Sequence, residues 1–245
     1  MTLAAPPLPE TTHRLPLEVQ NTVASPVVLS GCGLFSGQTV TVRVHPAPAN
    51  HGIVFQRSDL KDAQVPALVH FVVKRARRTA LKSGEAVIDT CEHILSALAG
   101  LGIDNSLIEL DAQELPGFDG SARPFLDALV EAGVKPLDTP RKRLVVSNPV
   151  VERRDDALIA VMPSEGPGME VAFELDYGEH PPGRQVKVYN STREDFASQY
   201  APARTFVLED EARALRDAGI GTHLSTSDVL VIGQNGPLDG NCFRF

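Results

Sequence analysis

In "QTVTVRV" the chain sets Val40, Val42 and Val44 on one side and Thr39, Thr41 and Arg43 on the other. A period of two over that length predicts a half-buried β-strand. "GIVFQR" and "SLIELDA" (106–112) are predicted as further strands of the same half. Two stretches carry a helical period instead. Residues 90–99 place Cys91, Ile94, Leu95 and Leu98 on one apolar face and stop at Gly100. "SARPFLDALVEAG" gives a helix over 121–132 that stops at Gly133, with Phe125, Leu126, Leu129 and Val130 as its stripe.

Residues 1–24 are rich in Pro and Thr without a period, so they read as a loose leader. "KPLDTPRKR" (135–143) concentrates Pro and charge and is the best candidate linker. It divides the chain into a first domain over 25–138 and a second over 139–245. Strands resume in "RLVVSNPVVE", "DALIAVMP" and "MEVAFELDY". A loop follows over about 178–203, then a helix in "EDEARALRDAG" and a strand in "DVLVIG". Strands outnumber helices and do not alternate strictly with them. That pattern fits an α+β fold with antiparallel layers better than a doubly wound parallel sheet.

Composition narrows the function. The 23 basic and 31 acidic side chains leave a formal charge of -8, which argues against binding nucleic acid through its phosphates. The local basic runs at Lys74–Arg78 and Arg141–Arg143 read as solvated loops. Three cysteines with no close pair suggest no disulfide framework and fit a reducing compartment. No apolar run reaches the length of a membrane span and no secretory pattern opens the chain, so a cytoplasmic protein is expected.

The candidate chemistry lies at Glu92-His93. Taken alone, "IDTCEHILSALAG" has two readings. Asp89 can cap the helix while Glu92 returns a bond to the cap, a capping box that also suits the helix dipole. Alternatively, Glu92 is a base beside a metal-binding His93. An adjacent Glu-His pair is far weaker evidence than two histidines on one helical face.

The surrounding text bears on that choice. "SGCGLFSGQTVTVRVHPAPANHGIVFQRSDL", "RRTALKSGEAVIDTCEHILSALAGLGIDN", "ELPGFDGSARPF" and "APARTF" occur in that order. Together they resemble the zinc-dependent UDP-3-O-acyl-N-acetylglucosamine deacetylases of lipid A synthesis, from about Val27 onward. The resemblance implies two similar domains, each a sheet layered with two helices, with the active site between them. It implies His93 as a Zn²⁺ ligand, Glu92 as general base and Thr205 as a hydroxyl that holds the oxyanion. The stretch after "ARTF", including Phe206, would form a passage for the acyl chain. Tyr177 would stack on the uracil, with Asp176 before it. Phe35 stands where the family usually has a His, and His223-Leu224-Ser225 where it usually has Gly-Gly-Ser. Zinc lowers the pKa of bound water to about 7. A carboxylate then takes the proton, and a positioned hydroxyl stabilises the tetrahedral oxyanion.

The family's remaining ligands lie on a His-Lys-x-x-Asp helix that follows a segment like "GNCFRF", the last residues of this chain. The second domain is therefore expected to be incomplete, with two of the three protein ligands missing. "MEVAFELDY" and "DVLVIG" would then expose apolar faces. The alternatives are a catalytically inactive relative that binds a nucleotide sugar, acyl chain or protein partner, and an α+β interaction protein in which Glu92-His93 is only a cap.

Overall fold

A computed structural model of the chain describes residues 19–164, 168–191 and 195–244. The first half runs β1 (Val19–Val23), β2 (Val27–Cys32), β3 (Thr39–Pro46), β4 (Ile53–Arg57), β5 (Ala63–Pro66), β6 (Val72–Val73), β7 (Ala80–Ser83) and β8 (Ala86–Asp89). Helix α1 (Glu92–Gly100), β9 (Ser106–Leu110), α2 (Arg123–Ala132) and β10 (Val134–Pro140) complete it. The second half runs β11 (Val150–Arg154), β12 (Ala157–Val161), β13 (Glu170–Asp176), β14 (Arg184–Asn190) and α3 (Phe196–Gln199). It continues through β15 (Phe206–Leu208), α4 (Glu209–Asp217), β16 (Leu230–Gly233) and β17 (Gly236–Pro237).

A five-stranded sheet in the order β2-β3-β9-β4-β5 carries the core. Its pairs are antiparallel except β4 with β9, which run parallel. The alternation in β3 is realised, with Val40, Val42 and Val44 buried. Ile108 and Leu110 of β9 and Phe55 of β4 complete the apolar face on which α1 and α2 lie. Both helices form where the period placed them. Ile94 and Leu98 of α1, and Phe125, Leu126 and Leu129 of α2, are sealed from solvent. Val130, expected in the α2 stripe, is exposed. The helix presents only a narrow face to the sheet, and Val130 falls beyond its edge.

The α+β reading holds, with several local corrections. Residues 1–18 of the expected leader lie outside the described residues, but 19–23 are not loose. They form β1, with Gln20 to Val23 buried, and pair antiparallel with β10. That pairing also overturns the linker over 135–143. Pro136 and Pro140 are tolerated because β10 pairs only with β1 and so is an edge strand. The boundary drawn between 138 and 139 therefore falls inside a paired strand. "RLVVSNPVVE" makes a strand only from Val150, and Leu144 and Val145 stay exposed. The loop expected over 178–203 contains β14, which pairs with β13 along its whole length, and α3.

The second half differs from the first in arrangement. Its strands make two separate hairpins, β11-β12 and β13-β14, and a small sheet β15-β16-β17 in which β15 and β16 run parallel. Of the faces expected to be exposed, that of β13 is: Val171 and Phe173 meet solvent. That of β16 is not: Leu230 and Ile232 are buried in the middle strand of this sheet, next to α4. Among the described residues no helix is long and apolar enough to cross a membrane.

Candidate active site

Helix α1 begins at Glu92 without a side-chain cap. The capping box does not form, because Thr90 takes a left-handed turn (φ 59°) and aims Asp89 back into the sheet. There the buried Asp89 carboxylate accepts from Gln113 Nε2 at 2.8 Å and faces Arg78 and Arg75 at 3.6 and 3.7 Å. Glu92 is thus released from capping. Its Oε2 accepts from the Thr79 amide at 3.0 Å, which fixes the carboxylate over the first turn.

Glu92 and His93 line an apolar channel with an empty volume of about 840 Å³, counting its open mouth. Leu34, Phe35, Arg77 and Thr90 share their side of it. The opposite side comes from the second half: Thr205, Phe206 and Val207 of the β15 segment, Leu215 of α4, and Leu224. Burial holds the His93 imidazole below its ordinary pKa, against the upward pull of the Glu92 and Asp119 charges. At neutral pH His93 is accordingly a neutral imidazole with a nitrogen lone pair to offer.

Of the residues singled out from sequence, Glu92, His93, Thr205 and Phe206 meet in this wall. Tyr177 reaches it indirectly, packing edge-on against Phe206 with ring centroids 5.5 Å apart. Asp176 does not line the channel. Its carboxylate accepts from the Gly178 amide at 2.8 Å and closes the turn after β13.

Sequence reasoning passed over several residues that shape the site. Arg77 sits in a run read as a solvated loop, yet it lines the channel and bridges to Glu211 of α4 at 2.8 Å. The pair holds the Arg77 pKa up and the Glu211 pKa down, in each case chiefly through their mutual hydrogen bond. Arg78, in the same run, stacks over the Phe35 ring at 4.1 Å. In the other run Arg141 bonds Asp104 at 2.8 Å. These basic runs are pinned by carboxylates, which a local reading of charge does not reveal. The loop bearing Phe35 is itself held by Glu114. That buried carboxylate accepts from the Phe35 and Ser36 amides at 2.9 and 2.7 Å and from the Thr90 hydroxyl at 3.1 Å. His223 packs against Gly37 and bonds the Gly33 carbonyl at 3.1 Å, so it is a strut between halves.

Catalytic zinc takes three protein ligands and a water. Among the described residues no group of three or more His, Cys, Asp or Glu side chains is gathered to hold a metal ion. His93 offers one donor, and the described residues do not by themselves make a catalytic zinc site. Cys91 does not add a second, because it is buried in the core and its thiol is pushed up to about 12 by burial and by the Glu92 charge.

Residues 20–245 match the family model described as LpxC, UDP-3-O-acyl N-acetylglycosamine deacetylase. The chain is 35% identical over 227 residues to a UDP-3-O-acyl-N-acetylglucosamine deacetylase of Geobacter sp. strain M21, covering 92% of this chain and 74% of the relative. It is 36% identical to the protein of that name from Cellvibrio japonicus strain Ueda107 over 92% of this chain and 75% of the relative. It is 39% identical to that of Anaeromyxobacter sp. strain Fw109-5 over 92% of this chain and 73% of the relative.

Proposed function

The chain belongs to the UDP-3-O-acyl N-acetylglycosamine deacetylase family, and from that membership we propose that it hydrolyses the acetamide of UDP-3-O-acyl-N-acetylglucosamine, a step of lipid A synthesis in the cytoplasm. The observation that carries the reading is the shared channel, in which Glu92, His93 and Thr205 converge from segments more than a hundred residues apart. Its apolar lining suits an acyl chain, and Phe206 with Tyr177 beyond it gives a sugar nucleotide an aromatic edge.

In the reaction a water attacks the acetamide carbonyl while Glu92 takes its proton. The Thr205 hydroxyl donates to the oxygen as it gains charge, where losing one donor costs about 10²–10³ in rate. The C–N bond then breaks, and the amine departs with the proton that Glu92 returns, leaving acetate. The Thr79 amide orients the carboxylate without consuming both its oxygens. Walls built from Leu34, Phe206 and Leu215 keep bulk water from the reacting carbonyl.

Zinc dependence is part of the proposal and requires His93 to be joined by ligands that the described residues do not bring to it. Acetate release by the purified protein, with elemental analysis before and after mild chelation, tests both parts. Glu92→Gln is expected to lower kcat by about 10²–10⁴ while substrate still binds. Turnover by the Gln variant at the wild-type rate would remove Glu92 from the chemistry. A second reading is a relative that binds the nucleotide sugar without turning it over, which the aromatic pair Phe206 and Tyr177 supports equally. It takes precedence where calorimetry shows binding and no acetate appears in zinc-supplemented buffer.

A further inference from the structure

Thr205 is held by the main chain on both sides: its amide donates to Gly120 O at 2.7 Å, and its carbonyl accepts from Leu230 N at 3.1 Å. The preceding residue, Arg204, is extended and bridged to Ser121, so its side chain leaves the opposite face. There the guanidinium donates to acceptors in three separate segments. Nε reaches the Asp119 carbonyl at 2.6 Å, and one Nη reaches Asn241 Oδ1 at 3.1 Å. The other Nη reaches the carbonyls of Thr226 and Ser227 at 3.0 and 2.8 Å. None of these acceptors is a carboxylate. Arg244 reinforces the cluster by donating to Pro202 O and to the Asp119 carboxylate, each at 2.9 Å.

A half-buried cation satisfied by neutral carbonyls is a weak source of stability, since desolvation opposes it. A rigid planar fork is, however, well suited to fixing the relative positions of several segments. We propose that Arg204 is the positioning residue for Thr205: its fork clamps the 119–121 loop, the 226–227 turn and Asn241 around one peptide, and so holds the Thr205 hydroxyl where the oxyanion forms. This rests on the hydrolytic reading above. Arg204 touches no reacting atom, and its effect passes entirely through its neighbour.

The test compares the full chain with its Arg204→Ala, Arg204→Lys, Thr205→Ala and Arg204→Ala/Thr205→Ala variants on UDP-3-O-acyl-N-acetylglucosamine. Both Arg204 variants are expected to lower kcat by about 10- to 100-fold, the scale of a misplacement approaching 1 Å. KM stays within about twofold, because the loss falls on the transition state. The double variant is expected to be no slower than Thr205→Ala, since two residues acting as one unit do not add. Guanidinium ion at millimolar concentration is expected to restore Arg204→Ala and leave Thr205→Ala unchanged. Lysine keeps the charge but not the fork, so wild-type kcat in Arg204→Lys overturns the proposal. Losses that multiply in the double variant, or a change confined to KM, overturn it equally. The methyl resonance of labelled Thr205 gives a readout independent of turnover. It is expected to shift in Arg204→Lys, and an unmoved resonance overturns the proposal. An inert wild type with a shifted methyl would instead reject hydrolysis while keeping the clamp.

Discussion

Replacing Gly120 by alanine is expected to separate two demands that one residue meets, a left-handed backbone and a close approach to Thr205. Gly120 has φ 79°, and its carbonyl accepts the Thr205 amide. A Cβ built there would stand 2.7 Å from the Asp228 carbonyl oxygen and 2.9 Å from Thr205 Cγ2. The left-handed backbone alone costs an alanine about 1–2 kcal/mol. The contacts add about 1–3 kcal/mol, the usual size of overpacking, because the Asp228 oxygen is main chain and cannot swing aside. Gly84 supplies the control: it has φ 57°, lies in the turn between β7 and β8, and a Cβ there meets nothing within 4 Å. At about 2–4 °C per kcal/mol for a chain of this size, Gly84→Ala is expected to lower Tm by about 2–8 °C. Gly120→Ala is expected to lower it by about twice as much, and to lower kcat by about tenfold or more because Thr205 must give way. Thermal unfolding by circular dichroism and initial rates on the same preparations provide both numbers. Equal Tm shifts for the two variants, with kcat unchanged in Gly120→Ala, would refute the steric coupling of Gly120 to Thr205.

Three further outcomes follow from other contacts. Glu114→Gln puts an amide group against the Phe35, Ser36 and Thr90 donors, so a loss of about 1–3 kcal/mol is expected in chemical unfolding; a stability equal to wild type would mean the loop does not depend on that carboxylate. Of the three thiols, exposed Cys32 and Cys242 are expected to react with Ellman's reagent in mildly alkaline buffer, whereas Cys91, held near 12 and buried, reacts only on unfolding; three equal rates would contradict its burial. Burial alone would raise the Asp119 pKa, but bonds from Ser121 and Arg244 outweigh it and lower it below 3.8. Its contribution to stability is therefore present above that value and lost as pH falls through the lower folded value. The pair with Arg244 is a third exposed and worth at most about 1 kcal/mol, so the Tm gap between wild type and Arg244→Ala is expected to be no more than about 2–4 °C near neutrality and to narrow in acid. A gap that widens on acidification would reverse the sign of this linkage.

The sequence by itself determined what a local period can encode. Val40, Val42 and Val44 alternate because β3 buries one face, and the turns of α1 and α2 repeat because each lays one stripe on that sheet. The ordered motifs likewise named Glu92, His93, Thr205 and Phe206 before any geometry was known, and these four do meet in one channel. What only the tertiary structure decided were pairings between distant segments. β1 and β10 look like a leader and a linker because their prolines and polar residues carry no period, yet each completes the other's hydrogen bonds. Asp89 has the spacing of a helix cap, but a left-handed Thr90 turns it toward Gln113 and two arginines. Arg77, Arg78 and Arg141 read as solvated charge until Glu211, Phe35 and Asp104 are brought to them. The physical reason is common to all of these. Hydrophobic burial acts on one face of one element and leaves its mark within a few residues, whereas a polar group is satisfied by whichever partner the folded chain delivers.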